Sequence, residues 1–258
     1  MYEAFVKGKS LPEAYHKALE ELYKHGETVP CDDYNQNQQE LAMTMIVEEP
    51  LAEPMISRLT IGGFYELQQY VMEVLDGILD FKIGDGNAWE YTYHDRIVNY
   101  GQEFDQLQFV IDELKRNPGS RRAVIIIRDN SVDPFNSHPA CLQHMQFFIR
   151  GGRLHMMILM RSNDAVEATF MNAFAFIMVQ KKVADALGLP VGIYTHRANS
   201  FHCYEKDFGL LEQYISGITT KPEDEITYEY EDFFKDLMEE AIPKIVSTVS
   251  ALSKRETK

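Results

Sequence analysis

QFFIRGGRLHMMILMRSNDAVEATFMNAFAFIMVQKKVADALG, residues 146–188, is the stretch from which the fold is read. Residues 146–149 and 154–160 are apolar runs rich in β-formers, and the pair Gly151–Gly152 lies between them, which predicts a hairpin turning at the glycines. Residues 171–187 are apolar on nearly every side and are closed by Gly188 and Pro190, which predicts a central buried helix. Residues 192–195 then begin another strand.

Working outward, Leu11–His25 repeats Ala14, Leu19, Leu22 and Tyr23 at helical spacing, with Ser10 able to cap and Gly26 following the end. The polar run CDDYNQNQQ, residues 31–39, reads as a loop, and residues 41–47 as a strand. Gly62–Gly63 opens a helix over 64–75, which Asp76–Gly77 closes; another spans 103–116, ended by Asn117–Pro118–Gly119. The β-branched run AVIII at 123–127 predicts a strand buried on both faces. From Glu223 the chain turns acidic, then helical around 232–252, and ends in the charged tail SKRETK. With no repeat or low-complexity linker, the pattern predicts one α+β domain over residues 1–258, a sheet with helices covering it.

Composition narrows the function. The net charge of −15 repels phosphate polymers, which argues against DNA or RNA as substrate, although a small anion can still be held where arginines gather. Cys31, Cys141 and Cys203 have no CxxC spacing, which fits a reducing, cytoplasmic setting better than a disulfide framework. The first ten residues lack the apolar core of a signal peptide, and no uncharged apolar run is long enough for a bilayer, so no membrane role is expected. His94, His144 and His155 show no metal-ligand spacing, and no metal is assigned.

Three short stretches combine residue types that a core does not require. They are Arg121–Arg122 ahead of the AVIII run, Cys141 in PACLQHMQ ending at Gln146, and Arg161–Ser162–Asn163–Asp164 with Asn172 beyond it. A fourth is His202-Cys-Tyr204. Guanidinium groups pair bidentately with phosphate oxygens, so Arg121, Arg122 and Arg161 suit a phosphate dianion. The same cations would lower the pKa of Cys141 and raise its thiolate fraction. An Asn amide offers a donor and an acceptor together, which matches the O4/N3–H edge of a uracil; a carboxylate would fit cytosine better. Taken singly, a cysteine is more often an inert buried thiol and an Asn in an apolar helix a satisfied core amide; the company these residues keep favours a site.

In this order and spacing, residues 86–207 resemble the thymidylate synthase family, which also contains the pyrimidine hydroxymethylases. The matching positions are Arg121–Arg122, Cys141 with Gln146 five residues on, Arg161–Ser162 with Asp164, Asn172 eight residues further, and His202 with Tyr204. Tyr93 in YTYHDR and Asp105–Gln106 also fall in place. The wording RSNDA, NAF and SFHCY is most similar to the short archaeal type and its hydroxymethylase relatives.

The resemblance implies one large mixed sheet covered by helices and a homodimer. It also implies transfer of a one-carbon unit from 5,10-methylenetetrahydrofolate to C5 of a pyrimidine nucleoside monophosphate, dUMP to dTMP first. Cys141 would add to C6 of the ring, Tyr93 stand beside it and Asn172 read the base edge. Arg161 and Ser162 would hold the phosphate, Arg121 and Arg122 that of the partner subunit, His202 and Tyr204 the sugar, and Asp164 the pterin. Hydroxymethylation of dUMP, dCMP or CMP, or nucleotide binding without catalysis, are the alternatives.

Several positions depart from the family. Leu142 follows the nucleophile where His is usual, ATFMN replaces GLPFN, and YNQNQQ lacks the loop arginine. Tyr70 falls at the family's general-base Glu, with Glu66 and Glu73 a turn to either side; Glu73 is taken as the substitute. The family's Trp residues that shield the exocyclic methylene have no evident equivalent, since Trp89 is the single tryptophan, and the usual C-terminal lid motif is missing; both losses would admit water and favour hydroxymethylation over methylation.

Overall fold

A computed structural model describes residues 1–84 and 89–256. Residues 86–88, where the family resemblance begins, and the last two residues of the SKRETK tail lie outside the described residues. The chain opens with β1 (Glu3–Gly8) and α1 (Leu11–His25), in which Ser10 accepts from the Glu13 amide as the cap. Next come β2 (Glu27–Cys31), β3 (Gln36–Val47), the short β4 (Ile56–Ser57) and α2 (Phe64–Asp76). Gly77 ends α2 in the left-handed region at φ +65, where a side chain would run into His94. Then follow α3 (Tyr93–Val98), α4 (Gln106–Arg116), β5 (Val124–Ile126), β6 (Leu142–Arg150), β7 (Arg153–Asp164) and α5 (Thr169–Leu187). The chain closes with β8 (Val191–Tyr204), α6 (Phe208–Thr220), α7 (Glu223–Ile226), β9 (Thr227–Tyr228) and α8 (Lys235–Glu256).

Seven strands form one mixed sheet in the order β1-β3-β8-β7-β6-β5, with β2 pairing on β3, and the fold is α+β. The β6–β7 hairpin turns at Gly151 and Gly152, both at positive φ as a two-residue hairpin turn requires. β7 and β8 lie parallel, and α5 is the crossover between them. That connection forces α5 onto the sheet and explains why it is apolar all round: Phe170, Phe174 and Phe176 are buried against strands and neighbouring helices alike.

Residues 31–39 are not a loop. They form the turn and inner ends of the β2–β3 hairpin, with Asn35 left-handed at φ 50; the strands there are polar because they lie at the margin of the sheet. The AVIII strand is buried on one face only, since β5 is the edge of the sheet and Ile126 is 41% exposed. Helix 103–116 begins at Gln106, where the Asp105 side chain caps the Gln108 amide. The sequence pattern leaves β1, α3 and α6 unmarked: β1 and α3 are each only six residues long, and α6 has few buried side chains to set a period.

The two faces of the sheet differ. Leu142, Met145, Phe147, Met156, Ile158, Tyr194 and Ala198 lie in the core beneath α1, α4 and α5. The opposite face shows Phe5, Ile126 and Met157 exposed, with Phe148, Leu159 and Ile193 half-buried.

Candidate active site

Cys141 sits immediately before β6, and its backbone is held on both sides. Its carbonyl accepts from the Arg161 amide at 2.8 Å and from Gln143 Nε2 at 3.3 Å. The guanidinium of Arg161 donates to the carbonyls of Pro139 at 2.7 Å and Ala140 at 3.1 Å. Upstream, Glu90 accepts from the amides of Ser137 and His138, pinning the approach to the cysteine. Arg161 therefore braces the segment that presents the thiol. The electrostatic expectation needs correction: burial pushes the Cys141 thiol up, and Arg161 opposes that only in part.

The thiol lines a cavity of about 410 Å³ together with Ser162, Asp164, Asn172, His202 and Tyr204. β7 supplies Ser162 and Asp164, β8 supplies His202 and Tyr204, and the first turn of α5 supplies Asn172. The parallel pairing of β7 and β8 sets Asp164 opposite His202. Asp164 Oδ1 accepts from the amides of Val166 and Glu167, at 2.9 and 2.7 Å, while its Oδ2 is buried without a partner. His202 is 3% exposed, with Nδ1 near the Ser162 and Ser200 hydroxyls and Nε2 likewise unpartnered. Burial raises the Asp164 carboxyl and lowers the His202 imidazole. Buried polar atoms left unbonded cost free energy unless a ligand completes them.

Tyr70 and Tyr93 form the wall to an adjoining cavity of about 440 Å³, lined also by Glu73, Trp89, Tyr91 and His138. Tyr70 donates its hydroxyl to Asn172 Oδ1. Tyr93 accepts from the Leu142 amide at 3.4 Å, and burial holds both phenols neutral. Glu73 stands in this second cavity, not beside the thiol; it accepts from Gln69 Nε2 at 2.9 Å, and burial raises its carboxyl.

Cys141, Tyr93, Ser162, Asp164, Asn172, His202 and Tyr204 are thus brought together. Arg121 and Arg122 are exposed ahead of the edge strand β5 and away from this lining, and Gln146 donates to the Arg121 carbonyl at 3.0 Å. No Arg or Lys side chain lines the thiol cavity among the described residues. Tyr70, Tyr91, Glu90 and Asn163 also belong to the neighbourhood. Of these, Tyr70 is marked only by falling at the family's general-base position and Asn163 only by lying inside the Arg161–Asp164 stretch, while Glu90 and Tyr91 carry no spacing signal. Asp164, Glu167 and Asp207 lie close enough for a cation, but Lys206 already bridges the latter two.

Residues 65–242 match the thymidylate synthase family, and the chain belongs to it. It is 27% identical over 213 residues to "Putative thymidylate synthase" of Methanosarcina barkeri, covering 83% of this chain and 95% of that one. A protein of the same name from Methanocaldococcus jannaschii is 29% identical over 220 residues, with coverage of 81% and 95%. Among solved structures, thermostable thymidylate synthase A from Bacillus subtilis superposes with a TM-score of 0.65 over 80% of this chain and 84% of that chain; at 16% identity the likeness carries the fold. Among the described residues, no helix is long and apolar enough to cross a membrane.

Proposed function

We propose that the chain transfers a one-carbon unit to C5 of a pyrimidine nucleoside monophosphate, dUMP to dTMP, through a covalent adduct at Cys141, acting as one domain in the cytoplasm. The observation that carries this reading is the thiol opening on the same cavity as Asn172, Ser162, Asp164 and His202. The Cys141 thiolate adds to C6, and the electron pair displaced toward C5 and O4 makes C5 a carbon nucleophile. Asn172 meets the base edge, and Ser162, His202 and Tyr204 meet the sugar and its phosphate. Arg161 holds the loop carrying the thiol and favours the thiolate.

The adjoining cavity suits a pterin by the flat walls of Trp89 and Tyr91, and in the thiol cavity next to it Asp164 Oδ2 is a buried acceptor in need of N–H donors. When bound, 5,10-methylenetetrahydrofolate supplies the one-carbon unit and, for a methyl product, the hydride. Hydroxymethylation is the second reading. Glu73, beside that space with a raised carboxyl, is the candidate acid–base group.

The cationic partner of the phosphate is supplied by a second copy of the chain. The acidic lining of the thiol cavity, the exposed pair Arg121–Arg122 and the apolar open face of the sheet all support a homodimer in which these arginines reach the neighbouring site.

Release of tritium from [5-³H]dUMP in the presence of methylenetetrahydrofolate tests the reaction, with UMP and the cytosine nucleotides in parallel. Product mass separates methyl from hydroxymethyl. Nucleotide binding without tritium release from any of them would overturn the catalytic reading.

A further inference from the structure

The backbone of residues 137–142, which carries the thiol into β6, is divided between two anchors. Its carbonyls at Pro139, Ala140 and Cys141 accept from Arg161, the first two from the guanidinium and the third from the Arg161 amide. Its amides turn the other way, to residues 90–93. Ser137 and His138 donate one to each carboxylate oxygen of Glu90, at 2.9 and 2.8 Å. The Cys141 amide donates to the Tyr91 hydroxyl, and the Leu142 amide to that of Tyr93 at 3.4 Å. A backbone N–H can only donate and a carboxylate only accept, so the direction of each of these bonds is fixed. Trp89, Glu90, Tyr91 and His138 also line the adjoining cavity. One short stretch therefore walls that cavity and, by its polar ends, suspends the cysteine in the other. Glu90 itself does not line the thiol cavity, and it is burial and Arg161 that shift the sulfur's proton affinity. Its hold on Cys141 is through backbone geometry, not through charge or proton transfer.

We propose that Glu90 is a positioning residue whose two-oxygen clamp on the Ser137 and His138 amides holds Cys141 Sγ in line for attack. This rests on the one-carbon reading above. Both oxygens are needed. Gln at this position keeps the size but offers a single acceptor and turns an NH₂ toward the second amide. That frees the segment just upstream of the sulfur while Arg161 still grips its carbonyls. A displacement of about 1 Å at a reacting atom costs roughly 10²-fold in rate. A loosened thiol is meanwhile more open to a small reagent, since susceptibility follows exposure as well as thiolate character. Alignment and accessibility should thus move in opposite directions, which simple loss of the fold does not produce.

The test compares the wild type with Glu90→Gln in three measurements. These are tritium release from [5-³H]dUMP, equilibrium dialysis of dUMP, and iodoacetamide alkylation read at each cysteine peptide by mass spectrometry. The variant is expected to lose roughly 10²-fold in kcat, with dUMP affinity within about twofold of wild type. Alkylation at Cys141 is expected to rise several-fold while Cys203, at 0% exposure, stays protected. Labelling of Cys203 along with Cys141 would mean that Glu90 merely holds the fold together, which overturns the proposal. An unchanged kcat, or unchanged alkylation at Cys141, overturns it as well. A wild type that releases no tritium removes the one-carbon reading, and the alkylation comparison still decides the clamp.

Discussion

Phe147 and Phe148 are neighbours in β6, yet they live in different media. Phe147 points under α4 and α5 and is fully buried, whereas Phe148 points to the open face, half-buried, with the Arg150 guanidinium 5.4 Å from its ring centre. The same alternation runs through β7, where Met156 is buried and Met157 is 45% exposed. On the covered face the side chains answer to packing, and at its β7–β8 end the sheet hands Ser162, Asp164 and His202 to the cavity. On the open face an apolar surface remains that one copy of the chain does not cover. The difference teaches that the helices cover one face of the sheet only, and it is the open face that the proposed dimer would use.

Several experiments would break or sharpen that contrast. At the cavity, Cys141→Ser is expected to lower tritium release roughly 10⁴-fold or more while nucleotide binding survives, because the hydroxyl lacks the thiolate's nucleophilicity. Loss of binding together with activity would mean that the cysteine holds the cavity's shape.

In the core, Phe147→Ala is expected to destabilise the fold by about 3–5 kcal/mol in urea unfolding. His16 on α1 and His196 on β8 are buried neutral, their pKa values pushed down by burial to about 4 and about 3. A histidine depressed in the folded state binds its proton more readily when unfolded. Its contribution is therefore complete above the unfolded value near 6.5 and lost as pH falls toward the folded value. Stability should drop by about 1.4 kcal/mol per pH unit for each of the two between about pH 6 and 4. Urea midpoints that stay flat across that window would contradict the burial of these rings.

On the open face, Met157→Lys should change the stability of a single copy by only about 0.5 kcal/mol. It should nonetheless shift sedimentation from dimer to monomer and reduce turnover with it. A dimer unaffected by the charge would place the partner elsewhere.

Much of this was legible in the sequence, for reasons that differ by residue. The glycine pair at 151–152 and the apolar run closed by Gly188 are local signals, and the hairpin and α5 formed where they indicated. Ser162 and Asp164 were legible through the family resemblance, and their two-residue spacing on β7 brings both to the cavity, whereas Arg161 just before them braces the thiol segment instead. The β2–β3 hairpin was not: CDDYNQNQQ has the composition of a loop, and only pairing with neighbouring strands makes it extended. Glu73 and Tyr70 lie one turn apart on α2 and could not be ranked from sequence. That Tyr70 borders both cavities while Glu73 reaches only the second depends on how α2 packs against α5.

The residue order alone therefore determined the α+β class, the central helix and the set of groups able to do chemistry, since turn preferences and hydrophobic periods act over a few positions of chain. Only the tertiary structure decided that the side-chain oxygen of Asn172 accepts from Tyr70, that burial outweighs Arg161 at the thiol, and that Arg121 and Arg122 stand away from the cavity of their own chain. Those outcomes depend on desolvation and on contacts between segments a hundred residues apart, as between Tyr70 and Asn172, which no local pattern encodes.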